Sequence, residues 1–85
     1  MLIKEIHLKK AVERKIEEHG VTKNELEDTL ARGEPRYRKA RDRRYMAIGR
    51  VQRFVTIIFE YNNGIATIVT AYPSSEWQIK LYHRK

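Results

Sequence analysis

The stretch Phe54-Val55-Thr56-Ile57-Ile58-Phe59-Glu60-Tyr61-Asn62-Asn63-Gly64-Ile65-Ala66-Thr67-Ile68-Val69-Thr70-Ala71-Tyr72 decides the fold class. Its β-branched and aromatic residues predict two strands, Arg53–Tyr61 and Ile65–Tyr72. Asn63-Gly64 between them is a tight-hairpin signal, because both central turn positions need positive φ. The run Phe54–Phe59 is apolar on both faces, which places that strand in the middle of a sheet.

Upstream, Arg36–Lys39 and Arg43–Ile48 read as two further strands, so the chain after Pro35 is a four-stranded meander. Before Pro35 the period changes to that of a helix. Leu8, Val12, Ile16 and His19 share one face of a helix over roughly Lys9–His19, and Gly20 is placed to end it. Thr22 and Glu25 form a T-x-x-E capping box, with Val21 and Leu26 at the staple positions. That second helix buries Leu26 and Leu30 and stops near Ala31 or Arg32, ahead of Gly33 and Pro35. Leu2 to Leu8 reads as a short first strand or an extended lead-in. Pro73 ends the last strand, and Ser74 or Ser75 caps a short terminal helix carrying Trp77, Ile79 and Leu81. Trp77 is read as a core anchor. The predicted order is β-α-α-β-β-β-β-α in one domain over 1–85: an α+β fold, with two N-terminal helices on a mainly antiparallel sheet and a short C-terminal helix.

Charge points to a partner. The net charge is +7, and its placement matters more than its size. Residues 1–35 hold seven Lys/Arg against eight Asp/Glu, whereas residues 36–85 hold eleven against three. Arg36, Arg38, Lys39, Arg41, Arg43, Arg44, Arg50 and Arg53 are opposed within their stretch only by Asp42. Such one-sided charge repels itself and is tolerated where a polyanion sits. A basic protein kept dispersed by its charge is the plainer alternative. The chain has no cysteine, which removes disulfides and thiolate chemistry and fits a reducing cytoplasm. The N-terminus lacks the pattern of a signal peptide, and no run approaches the ~18 apolar residues of a membrane span. His7, His19 and His83 are scattered without i,i+4 spacing or a carboxylate cluster, so no metal site is expected. No Walker loop or G-x-G-x-x-G is present. No cofactor is expected.

Three short strings, in order, carry a resemblance. His19-Gly20-Val21-Thr22 with Glu25, then Arg44-Tyr45-Met46-Ala47-Ile48-Gly49-Arg50, then Val69-Thr70-Ala71-Tyr72 followed by Ser75-Glu76 and Tyr82, resemble the helix junction, the "RY-x-x-IG" strand and the last strand and helix of BrnT-like toxins. These belong to the RelE-type ribonuclease superfamily. The resemblance implies a bacterial or archaeal type II toxin that cleaves RNA without a metal, messenger RNA free or on the ribosome. A small antitoxin protein would silence it and could join it in oligomers. Tyr72 stands where the family has Arg, and the basic cluster of the final helix is reduced to Lys80, Arg84 and Lys85.

Metal-free cleavage of RNA needs a base for the 2′-hydroxyl, cations for the charged phosphorane and an acid for the leaving oxygen. Arginine suits the second role because its planar fork matches two phosphate oxygens. Arg44, Arg50 and Arg53, read as surrounding a turn at Gly49, are the first candidates; solvated hairpin charge is the plainer reading. Arg36, Arg38, Lys39, Arg41, Arg43 and Lys80 are candidate RNA contacts. His19, Tyr72 and Glu76 are candidates for proton transfer. Each also has a plainer reading: a helix-end histidine, a sheet aromatic and a carboxylate favoured by the helix dipole. His83 is read as part of a solvated tail. Two other functions stay open: an RNA-binding module that does not cut, and a basic domain that meets an acidic protein.

Overall fold

The computed structural model describes residues 1–84. The elements are β1 (Glu5–His7), α1 (Lys10–Glu18), α2 (Lys23–Arg32), β2 (Arg36–Lys39), β3 (Arg44–Arg50), β4 (Phe54–Asn62), β5 (Ile65–Pro73) and α3 (Glu76–His83). The five strands form one sheet in the order β1-β5-β4-β3-β2. β2 to β5 are an antiparallel meander, and β1 adds to β5 in parallel. The protein is therefore α+β, and the expected element order holds. Lys85 lies outside the described residues.

Side chains alternate along the strands, except where a bulge in β5 opposite Ile58 and Phe59 shifts the register and puts both Ile68 and Ala71 on the core side, so the two faces can be assigned residue by residue. One face is covered by α1 and α2. Ile16, Val21 and Leu26 from the helical half pack on Ala47, Val55, Ile57, Phe59, Ala66, Ile68 and Ala71. Phe59 is fully buried and has Tyr37 and Tyr45 against its ring. Burial holds the Tyr37 phenol above its ordinary range, so it stays neutral. Truncation of such a core aromatic costs about 3–5 kcal/mol. α2 lies close to β3, and two glycines permit it. A Cβ on Gly33 would stand 2.5 Å from the Thr29 carbonyl oxygen, and one on Gly49 would stand 3.0 Å from Thr29 Cγ2.

The other face is covered only in part, by α3. Its anchor is polar: Gln78 is 2% exposed, and its amide is fully engaged. Nε2 donates to the Tyr72 hydroxyl at 2.9 Å and lies 3.7 Å from Met46 Sδ. Oε1 accepts from Thr56 Oγ1 at 3.0 Å and from the Ser75 N–H at 2.9 Å. Since Thr56 spends its one proton on Gln78, Ser74 Oγ donates to it at 2.7 Å.

Three local expectations are corrected. Trp77 is 61% exposed, because its neighbour Gln78, not Trp77, is turned into the sheet. The capping box of α2 is half made: Thr22 Oγ1 accepts from the Glu25 N–H at 3.1 Å, while the Glu25 carboxylate goes elsewhere. Gly49 is not in a turn but inside β3, the loop being residues 51–53.

Candidate nucleic-acid interface

Register decides which arginines meet. Ala47 is in the core and Gly49 lies against Thr29, so Arg44, Met46, Ile48 and Arg50 point to the α3 face of β3. Across the ladder Arg36 faces Ile48 and Arg38 faces Met46, which puts both on that same face. On β2, β3 and β4 it therefore carries four arginines and a single carboxylate, Glu60.

At the α3 end of this face the cations surround aromatic rings. Phe54, Tyr82 and His83 touch edge to face, with centroids 5.2, 5.6 and 5.5 Å apart. The Arg50 guanidinium lies 5.2 Å from the Phe54 centroid, and that of Arg36 lies 5.0 Å from Tyr82. Arg36 and Arg50 are diagonal neighbours across β2 and β3, a relation of roughly 7–8 Å between backbones. Arg36 Nη1 donates to the Arg84 carbonyl at 2.8 Å, and the Tyr82 hydroxyl to that of Glu34 at 2.9 Å, so the tail of α3 is tied to β2. Beside Tyr82 a groove of about 250 Å³ opens between Leu81 and Arg38. Guanidinium forks and stackable rings side by side can take phosphate and base together.

The opposite end of the face holds Arg44. Its Nε is buried without a hydrogen bond, and the nearest carboxylate oxygen, of Glu60, is 4.0 Å away. A row of partners, Arg44, Glu60, Thr67 and His7, crosses four strands here. His7 is hydrogen-bonded to Glu5.

Arg53 does not join these residues. It precedes Phe54 and turns to the helical face, where Nε and Nη2 donate to the two Glu25 oxygens at 2.8 Å each and Nη2 also donates to the Gly20 carbonyl at 2.6 Å. The hydrogen-bonded guanidinium holds the Glu25 carboxyl below its ordinary range, and the carboxylate raises the affinity of Arg53 for its proton. Arg53 thus clamps the α1–α2 junction to the loop before β4. The expected trio of Arg44, Arg50 and Arg53 is not a cluster. Arg44 and Arg50 are six residues apart on one strand, about 20 Å, and Arg53 is engaged on the other side.

The remaining candidates disperse. His19 caps α1, and its Nδ1 is 3.3 Å from the Ala71 carbonyl, which fixes it as the donor nitrogen. Its ring meets Tyr72 edge-on at 6.4 Å, two strands away from β3. Glu76 is exposed in the first turn of α3, and Lys80 is exposed one turn on. Lys39 faces the helical side with Tyr45. Arg41 and Arg43 occupy the exposed β2–β3 turn. Sequence reasoning missed Phe54, Glu60 and the placement of His83. Phe54 reads as core in a run that is apolar on both faces, and His83 gains its neighbours only from α3 docking.

No family model matches this chain, and no curated protein or solved structure matches it either. No helix among the described residues is long and apolar enough to cross a membrane.

Proposed function

We propose that this protein binds RNA across the α3 face and cuts it as an endoribonuclease of the toxin type, with a BrnT- or RelE-like fold. One observation carries the reading: Arg36 and Arg50 bracket the Phe54–Tyr82–His83 patch. In this reading the 2′-oxygen attacks the adjacent phosphorus, the bond to the 5′-oxygen breaks, and a cyclic phosphate remains. The two guanidinium forks take the equatorial oxygens of the phosphorane, where a single well-aimed donor is worth about 3–4 kcal/mol. Phe54 and Tyr82 hold a neighbouring base. His83, in contact with both rings, is the imidazole beside this patch and the candidate for proton transfer. A cognate antitoxin would then cover this face in the cell.

The test is cleavage of RNA by purified protein in excess chelator, with the cyclic phosphate identified. Arg36→Ala and Arg50→Ala each lower the rate on the order of 10²-fold. Unchanged rates in both variants would remove the assignment. Salt-sensitive binding without any cleavage would make this a binding module instead.

A further inference from the structure

Among the described residues, two hairpin turns have positive φ at both central positions, and they differ in chemistry. The β4–β5 turn uses Asn63 and Gly64, at φ 51° and 85°, the pair such a turn prefers. The β2–β3 turn, closed by the Arg44 N–H donating to the Arg41 carbonyl at 3.1 Å, uses Asp42 and Arg43 at 58° and 62°. Aspartate tolerates this backbone, but arginine has no local means to do so, and its Cβ is crowded there. Glycine at 43 would relieve the turn, as Gly64 does for the other. The arginine therefore stands against the preference of its own backbone.

Among the described residues nothing repays that strain. Arg41 and Arg43 are exposed, and among the described residues neither side chain makes a hydrogen bond or an ion pair. Strained residues kept in a turn point to a use outside the fold. The turn projects from the Arg44 end of β3, about 20 Å from the Arg36–Arg50 patch.

Resting on the proposed RNA-binding face, we infer that the Arg41–Arg43 turn is a second phosphate contact that selects long RNA over short. About six stacked nucleotides, at roughly 3.4 Å each, bridge the two ends of β3. A chain of that length meets both contacts, and a shorter one meets only the aromatic patch.

The experiment measures affinity against salt for RNAs of about four and about twelve nucleotides, using the whole protein. Arg41→Ala with Arg43→Gly lowers affinity for the longer RNA on the order of tenfold and its logarithmic salt slope by about 1.4. The shorter RNA loses less. Arg43→Lys keeps the charge and keeps the slope. Arg43→Gly alone raises Tm by roughly 4–8 °C, because it releases the turn. An unchanged salt slope on the longer RNA, or an unchanged Tm, would overturn the inference while leaving RNA binding in place. No binding of either RNA by the unsubstituted protein would overturn both readings.

Discussion

Arg53 grips Glu25 through two parallel hydrogen bonds of 2.8 Å, so a residue at the head of β4 fixes the N-terminus of α2. The bidentate geometry makes this pair stronger than most surface ion pairs. The same guanidinium holds the Gly20 carbonyl, which ties the α1–α2 junction to the sheet with one side chain.

Glu25→Gln is expected to cost about 1 kcal/mol at neutral pH, read from urea midpoints. The folded-state pKa of Glu25 lies below its unfolded value. The pair's contribution is thus fully present above the unfolded value, about 4.3, and is lost as pH falls through the lower folded one. Parent and variant should converge in acid. A gap that persists there would mean that the variant had disturbed packing rather than charge. Arg53→Ala should destabilise similarly and leave RNA cleavage near that of the parent.

Gly33→Ala and Gly49→Ala should each destabilise by about 1–3 kcal/mol through overpacking. The atoms met at Gly33 are backbone, including the Arg50 nitrogen at 3.0 Å, and cannot swing aside. Thermal unfolding measures it, and wild-type Tm in both variants would contradict the close approach of α2 to β3.

Gln78→Ala leaves a buried Thr56 hydroxyl and the Ser75 N–H without their acceptor, at a cost of about 2–3 kcal/mol. Hydrogen exchange should show α3 amides losing protection ahead of those of β4. Uniform loss across the chain would mean that α3 is not held locally by this amide.

Phe54→Leu keeps apolar bulk beside Tyr82 but removes a stacking ring. RNA affinity should fall by about 1–3 kcal/mol with the salt slope unchanged, since no charge is removed. A change in slope would show that Arg50, resting on that ring, had lost its place.

Much of the fold was legible in the residues. The strand boundaries of β2, the Asn63-Gly64 turn, the central position of β4 and the stop of α2 at Arg32 follow from period and turn chemistry, which act over a few residues. The candidate site was legible only in its ingredients. Charge alone picks out Arg36 and Arg50, and Tyr82 enters only through the resemblance, yet the trio built on a turn at Gly49 fails, because Gly49 continues β3.

By itself the sequence determined the order of helices and strands, the ends of β2 and α2, and the crowding of positive charge after Pro35. Tertiary structure alone decided that Arg36 and Arg50 share a face with Phe54 and Tyr82, that Arg53 is consumed by Glu25, and that Gln78 rather than Trp77 seats α3. The reason is physical. Alternation along a strand sorts residues into two sets, but which set is covered, and by what, depends on contacts between residues tens of positions apart in the chain.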